Sequence, residues 1–163
     1  MVEVVTLGEA MLRNVDGAAG RLQSVGGAEL NVAVALAQLG RKARWMSAVG
    51  GDDAGLRILD EASRVGVDTA SVLILSEHST GEYTVDMAAE KIEYQRADSA
   101  FANLSPTMFE PSLRQLIGSA QWLHLTGITP LLGDSARGLW STTLAAAELD
   151  GIKISLDFNH RTA

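Results

Sequence analysis

The chain has 163 residues, 47% of them hydrophobic and 20% charged, which is the balance of a folded globular domain rather than of a disordered segment. A formal net charge of −7 and the lack of any run of Lys and Arg argue against nucleic acid as a partner. The chain has no cysteine, which excludes disulfides and thiolate metal sites. Its amino terminus carries neither a positive leader nor a long apolar stretch, so we expect no membrane partner and a cytoplasmic location.

The amino-terminal part of the chain alternates between strand-like and helix-like patterns. Residues 2–8 are a β-branched apolar run typical of a buried parallel strand, whereas residues 11–25 mix polar and apolar positions around glycines and predict a hairpin or flap. An apolar run of small residues predicts a helix over 28–39, and residues 43–50 predict a second buried strand. An aspartate cap predicts a helix over 53–65. This β-α-β-α order predicts a parallel sheet covered by helices.

The pattern changes in the middle of the chain. Residues 72–75, 81–87 and 91–96 are three strand-like runs with no helix between them. Polar and apolar residues alternate along the second of these runs, which predicts a sheet with one polar and one apolar face. We therefore expect an antiparallel insert, so that segments 11–25 and 72–96 form a small β lid.

The alternation of strands and helices resumes after this insert. Residues 105–117, which open on Ser-Pro, predict a helix with a cap and a proline at its first position. A strand over 121–126, a helix over 134–149 and a strand over 152–158 follow. The chain has no internal repeat or linker, so residues 1–163 are predicted to form one α/β domain.

The stretch 26–31 (GGAELN) is the most distinctive in the chain. Gly26 and Gly27 allow a sharp turn and a close approach of the backbone to a ligand, and a small polar molecule would fit at the start of the helix that follows. The alternative is a tight turn into a packed helix, with Asn31 bonding only to nearby backbone. On the residues alone, this second interpretation is the stronger.

A phenol and a guanidinium are predicted to lie on one face of a strand at 94–96. Alternation along a strand places Tyr94 and Arg96 on the same side, where both can contact one ligand. A bidentate arginine suits a carboxylate, the group that separates a sugar acid from a neutral sugar. The alternative is an exposed arginine paired with Asp98 or Glu93, and spacing alone favours this alternative.

Residues 157–161 (DFNHR) directly follow the last predicted strand. Open α/β sheets bind ligands at the carboxyl ends of their parallel strands, so this position favours a functional interpretation of Asp157, Asn159 and Arg161. The alternative is that the Asp and Asn side chains cap a turn. The three histidines are too scattered for a metal site, and Glu9 and Asp16 border the expected pocket without an assigned chemistry.

These motifs together resemble the ribokinase-like (PfkB) sugar kinases. The glycines at 26–27, Asn31 and the Gly-Gly-Asp at 50–52 have the spacing of that family's amino-terminal motif. The Asp-x-Asn-x-Arg at 157–161 also resembles a motif of that family. Within the family, the form Gly-Gly-Ala-Glu-x-Asn and the Tyr-x-Arg at 94–96 are most similar to 2-keto-3-deoxygluconate kinases. The resemblance implies an α/β fold of the ribokinase type, with a parallel sheet, flanking helices and a β lid. It covers the whole chain, yet accounts for about the first half of such an enzyme.

The resemblance also implies roles for individual residues. A sugar or sugar acid would lie against the two glycines, Asn31 would bond to a hydroxyl or hold the loop, and Asp157 would orient its loop or a metal-bound water. Tyr83 would be an aromatic residue of the lid, although packing in a core or interface is an alternative. The predicted substrate-binding residues are Gly26, Gly27, Asn31, Tyr83, Tyr94, Arg96 and Arg161. The predicted nucleotide-binding residues are Asn159 and Arg161, and no catalytic or metal-binding residue is predicted.

The activity that the resemblance implies is ATP-dependent phosphorylation of 2-keto-3-deoxygluconate or a related sugar acid, with Mg²⁺ shielding the phosphates. A kinase for a neutral sugar, of the fructokinase or ribokinase type, is an alternative. A truncated module that binds a sugar or a partner without turnover is another.

Two further expectations concern the isolated chain. The family's Asn-x-x-Glu and Gly-Ala-Gly-Asp motifs, which serve Mg²⁺ and the deprotonation of the acceptor hydroxyl, do not occur in the 163 residues. We therefore expect this chain alone to be inactive. We also expect the lid to pack against a second copy and give a homodimer.

Overall fold

The computed structural model describes residues 2–18, 20–109 and 112–160, which form two β-sheets and four α-helices. The strands are β1 (Val4–Leu7), β2 (Met11–Gly17), β3 (Gly20–Gly26), β4 (Ala43–Val49), β5 (Asp68–Ile74), β6 (Glu82–Asp86), β7 (Lys91–Gln95), β8 (Trp122–Thr126) and β9 (Lys153–Asp157). The helices are α1 (Ala28–Gln38), α2 (Asp53–Arg64), α3 (Leu113–Gly118) and α4 (Asp134–Leu149). Among the described residues, no helix is both long and apolar enough to cross a membrane.

The first sheet is parallel throughout, as the sequence predicts. Its strand order is β5-β4-β1-β8-β9, so the amino-terminal strand lies at the centre. One core cluster packs α1 and α2 against β4 around the fully buried Trp45. A second cluster packs α3 and α4 against the other face, where Leu7, Leu123 and Leu125 are fully buried. Helices thus cover both faces of the sheet, which is what a parallel sheet requires.

The second sheet is four-stranded, in the order β3-β2-β6-β7. The hairpin predicted over 11–25 is confirmed, because β2 and β3 pair antiparallel from Met11 opposite Gly26 to Gly17 opposite Gly20. Strands β6 and β7 form a second antiparallel hairpin. The two hairpins join through β2 and β6, and this pair is parallel. The expectation of a purely antiparallel insert is therefore wrong.

The grouping of residues 72–75 with the lid is also wrong. Residues 71–74 belong to β5, which pairs with β4 from Met46 opposite Ser71 to Val49 opposite Ile74 and forms an edge of the first sheet. Val72 packs against one core cluster and Leu73 against the other, so this run is apolar because both of its faces are covered. The second sheet thus comprises residues 11–17, 20–26, 82–86 and 91–95.

The single helix predicted over 105–117 is wrong as well. The chain instead forms a 3₁₀ turn over Pro106–Met108 and the short helix α3. Pro111 falls inside the predicted helix and lacks the backbone donor that a helix interior needs. Residues 110 and 111 lie outside the described residues. By contrast, α4 has the predicted bounds, and α1 ends near Gly40, whose φ of +76° favours glycine.

Asp52 joins the start of α2 to the segment that leads into the second sheet. Its Oδ1 accepts hydrogen bonds from the Gly55 amide at 2.8 Å and from the Thr80 hydroxyl at 2.6 Å. Its Oδ2 accepts the Thr80 amide at 2.7 Å. Burial opposes ionisation of this carboxyl, but the bonds from Thr80 and Gly55 outweigh it and lower its pKa. One side chain therefore caps a helix and fixes the entry to β6.

Glu29 joins the start of α1 to the end of β8 and the turn that follows it. Its Oε1 accepts the hydroxyls of Thr126 at 2.6 Å and Thr129 at 2.8 Å, and the residue is 3% exposed. Gly8 leaves room for the carboxylate, since a Cβ there would lie 2.0 Å from Glu29 Cδ. Burial raises the pKa of Glu29 above its ordinary value, although the two threonine bonds oppose the shift.

We predict that replacing Asp52 with alanine lowers the free energy of unfolding by about 2 kcal/mol, because a helix cap is lost and the buried Thr80 amide is left without an acceptor. Chemical denaturation measures this loss. The matched control is D53A, because Asp53 lies one residue further on and caps nothing, and its cost is expected to stay below about 0.5 kcal/mol. Equal losses in the two variants would contradict the role of Asp52.

Replacement of Glu29 with glutamine is predicted to change how stability depends on pH. An acid whose pKa is raised by folding stabilises the fold while protonated, and this contribution is lost as the pH rises from the unfolded to the folded pKa. The difference in unfolding free energy between E29Q and the unmodified chain should therefore grow in favour of E29Q as the pH rises from about 4.5, the ordinary pKa of a glutamate, to neutral. Denaturation curves that keep a constant difference across this range would refute the prediction.

Candidate substrate cleft

A cleft of about 740 Å³ opens between the carboxyl ends of the first sheet and one face of the second sheet. The first sheet contributes Glu9 just after β1 and Asp157 at the end of β9. The start of α1 contributes Gly27 and Ala28, and the second sheet contributes side chains of β2, β6 and β7. The cleft is therefore built where parallel strands end, as the sequence predicts for the ligand site.

The structure brings the predicted site residues together. All of those within the described residues line this one cleft, namely Gly26, Gly27, Asn31, Tyr83, Tyr94, Arg96 and Asn159. Arg161, predicted to bind substrate and nucleotide, lies outside the described residues. The segments that supply these side chains are far apart in sequence. They converge because the two paired hairpins face the start of α1 and the end of β9 across the cleft.

Two tyrosines and an arginine form the aromatic wall of the cleft. The rings of Tyr83 and Tyr94 stack with their centroids 5.5 Å apart and their planes at 29°. The guanidinium carbon of Arg96 lies 5.9 Å from the centre of the Tyr94 ring, within the range of a cation–π contact. A flat aromatic surface with a guanidinium beside it is suited to a small polar ligand that carries both a carbon skeleton and hydrogen-bonding groups.

Arg96 has a different ion-pair partner from those weighed on sequence grounds. Neither Asp98 nor Glu93 pairs with it; its Nη2 instead donates a short hydrogen bond to Glu9 Oε2. The Glu9 side chain is only 2% exposed, and its Oε1 accepts the Ser99 hydroxyl at 2.5 Å. Burial raises the pKa of Glu9, while Arg96 and Ser99 act in the opposite direction. The buried Glu9 carboxyl thus fixes the position of the Arg96 guanidinium.

Gly27 is needed by the fold itself. A Cβ at this position would lie 2.7 Å from the Glu9 carbonyl oxygen and 2.9 Å from Ala10 Cα. The backbone at the start of α1 therefore packs directly against the link between β1 and β2, which leaves no space for a side chain. The predicted contact of Gly27 with a ligand stays a prediction, and the packing is a second reason for a glycine here.

The turn after β9 combines the two interpretations made from the sequence. The Asn159 amide donates to Asp157 Oδ1 at 2.8 Å, which is the turn-capping arrangement. Asn159 adopts a φ of +49°, a left-handed conformation that asparagine tolerates better than most residues. Both residues still line the cleft, so capping of this turn does not remove them from the candidate site.

Three charged residues of the cleft received no role from the sequence. Glu9 and Glu29 lie beneath it, and Arg13 lines it from β2. Arg13 is two residues from Met11 on the same strand, so both side chains project from the same face of β2. This period of two is the signal that could have placed Arg13 at the cleft. The partners of Glu9 and Glu29 lie 87 to 100 residues away in the chain, and no local pattern reveals them. Asp16, the other acid expected at the pocket, does not line the cleft. Its Oδ1 lies 2.6 Å from Arg21 Nε, on the other face of the second sheet.

The donor set of the cleft does not suit a metal ion. Within the described ranges, no three His, Asp or Glu residues are close enough together to hold one. Glu9 and Glu29, the buried acids, already accept hydrogen bonds from protein groups. These residues therefore offer no preformed cage of oxygen ligands.

Known proteins with similar sequences are sugar kinases. The chain is 33% identical to 2-dehydro-3-deoxygluconokinase of Bacillus subtilis over 98% of its own length and 52% of that enzyme. It is also 33% identical to a fructokinase of Salmonella typhimurium, over 98% of the chain and 51% of the relative. The chain thus spans about half the length of the curated relatives it matches.

The fold gives the same result. The crystal structure of a PfkB protein from Polaromonas sp. JS666 superposes with a TM-score of 0.90 at 28% identity, covering 99% of this chain and 56% of that one. The family profile described as pfkB family carbohydrate kinase matches residues 3–157, nearly the full chain. With two sheets and a cleft between them as described above, the chain belongs to the pfkB family of carbohydrate kinases.

Proposed function

We propose that this chain supplies the substrate-binding part of an ATP-dependent kinase for a sugar acid of the 2-keto-3-deoxygluconate type. The observation that carries the proposal is the wall formed by Tyr83, Tyr94 and Arg96 along the cleft. Stacked phenols provide apolar area and hydroxyls for a sugar, and the guanidinium provides charged donors for a carboxylate. The 2-dehydro-3-deoxygluconokinase relative supports the same substrate class.

A kinase for a neutral sugar is the second candidate. The fructokinase relative and the 2-dehydro-3-deoxygluconokinase relative are equally similar to this chain, each at 33% identity. The ion pair between Arg96 and Glu9 favours this candidate, because it offsets part of the positive charge that a carboxylate would need. Acid and neutral sugars therefore have to be compared directly on the same protein.

The cofactors of the complete enzyme are proposed from family membership. ATP would provide the phosphoryl group, and Mg²⁺ would neutralise charge on its phosphates. Asn159 and Arg161, after the last strand, are the residues we propose to contact the nucleotide. Since the described residues gather no set of metal ligands, we propose no metal-dependent step for them. The inactivity of the chain alone, its homodimer and its cytoplasmic location stay predictions.

We predict that the chain binds 2-keto-3-deoxygluconate about tenfold more tightly than D-fructose, since a charge-assisted bond to a carboxylate adds to contacts that both sugars make. Amide NMR titration of the isotope-labelled chain measures weak affinities and locates the ligand. Shifts are expected at the cleft amides of Gly27 and Asn31. Tighter binding of fructose would favour the neutral-sugar candidate, and shifts outside the cleft would contradict the site.

Replacing Arg96 with alanine is predicted to weaken binding of the acid roughly tenfold to a hundredfold and binding of fructose much less. The single variant also leaves Glu9 buried without its partner, which destabilises the fold for another reason. The comparison is therefore made between E9Q and the double variant E9Q/R96A, in which neither protein holds an unpaired buried carboxylate. Equal losses for the two sugars would remove Arg96 from carboxylate binding.

A further inference from the structure

The second sheet has two unlike faces. Its outer face is polar and charged, with Asn14, Asp16, Arg21, Glu82, Thr84, Asp86, Lys91, Glu93 and Gln95 around one shallow depression. Its other face lines the cleft with Met11, Arg13, Tyr83, Val85, Ile92 and Tyr94. Among these six side chains of β2, β6 and β7, Arg13 alone carries a charge. A cation on an otherwise apolar and aromatic face calls for a physical explanation.

Arg13 lies in register with the two tyrosines. It is the direct partner of Tyr83 across the parallel pair of β2 and β6, and Tyr83 is the partner of Tyr94 across β6 and β7. Partners in register project from the same face of a sheet. Arg13 therefore flanks the aromatic pair beside Tyr83, while Arg96 flanks it beside Tyr94.

The cations around this sheet differ in their partners. Arg96 is paired with Glu9, Arg21 with Asp16 and Lys91 with Glu93. Across residues 2–18, 20–109 and 112–160, Arg13 has no ion pair, no side-chain hydrogen bond and no cation–π contact. Within these ranges, no carboxylate is paired with the Arg13 guanidinium to offset its positive charge.

An uncompensated positive charge has particular weight in this protein. The chain carries 20 acidic and 13 basic residues, so its overall field opposes the approach of an anion. Arg13 and Arg96 both line the partly enclosed cleft, and a cation there attracts an anionic group more strongly than it would in open water, because the low-dielectric walls reduce screening. A neutral sugar gains nothing comparable from this charge.

We infer that Arg13 is a specificity-determining residue that contacts the carboxylate of a sugar acid in this cleft. The inference rests on the proposed function, since it assigns the anionic group of that same substrate. Arg96 holds the ligand through hydrogen bonds from a guanidinium that Glu9 fixes in place. Glu9 offsets part of the positive charge of Arg96. Arg13 supplies a further positive charge, which attracts the carboxylate of a sugar acid, and it therefore distinguishes sugar acids from neutral sugars.

The test compares two ligands that differ at one group. The probes are 2-keto-3-deoxygluconate and 3-deoxy-D-fructose, in which a hydroxymethyl group replaces the carboxylate. NMR titration of R13Q is expected to show about a tenfold loss of affinity for the acid and less than about a twofold change for the neutral sugar. The matched control is R21Q, on the outer face of the same sheet, which should change neither affinity.

Salt dependence separates a charge contact from a structural role. Acid binding by the unmodified chain should weaken as ionic strength rises from about 0.05 to about 0.5 M, and R13Q should lose most of this dependence. R13K, which keeps the charge, should retain more of the acid affinity than R13Q. Inorganic phosphate, added as a competitor at the same concentration as the sugar acid, should displace little of the bound acid. If phosphate at that concentration displaces most of the acid, the assignment of Arg13 to a carboxylate is overturned.

The outcomes distinguish the inference from the proposed function. An unmodified chain that shows no preference for the acid overturns the proposed function, and the inference with it. A preference for the acid that survives in R13Q, with unchanged salt dependence, overturns the inference alone. Loss of both ligands in a folded R13Q would assign Arg13 to general packing of the cleft and would also overturn the inference.

Discussion

Two buried carboxyls hold together the segments that lie beneath the cleft. Glu9 follows the central strand and accepts hydrogen bonds from Arg96 and Ser99, at the point where the chain leaves the second sheet. Glu29, in the first turn of α1, accepts hydrogen bonds from Thr126 at the end of β8 and from Thr129 in the turn that follows it. A carboxyl that is out of water must have all of these donors in place, since an unsatisfied buried oxygen is costly. The position of each donor segment is therefore fixed relative to the central strand.

This junction also explains why the cleft lies where it does. The segment between β1 and β2 packs directly on the start of α1 at Gly27, so the second sheet projects over the carboxyl ends of the parallel strands. Polar groups that close this junction sit below the cleft, and the aromatic face of the second sheet sits above it. A ligand that enters is thus held between a rigid polar floor and a wall built from Tyr83 and Tyr94.

Local signals in the sequence predict the parts of the fold that local physics decides. The bounds of α4 and the cap of α2 follow from composition and from one aspartate, and the hairpin at β2 and β3 follows from its glycines. The predicted site residues that the structure describes all line the cleft, yet the pairing of Arg96 with Glu9 is not predicted, because the two residues are 87 positions apart. The assignment of β5 failed for a related reason: the chain runs from β5 to β6 with no helix between them, and the pairing of β5 with β4 in the first sheet is not visible in the local sequence.

The parallel pairing of β2 with β6 has a consequence for the order of folding. Each hairpin of the second sheet is local, but the hydrogen bond from Asn14 to Glu82 joins residues 68 positions apart. Closing so long a loop in a flexible chain has a large entropy cost, which the intervening strands and helices remove by bringing the two hairpins together. We therefore expect the second sheet, and the cleft that it lines, to form only after α1, β4, α2 and β5 have packed together.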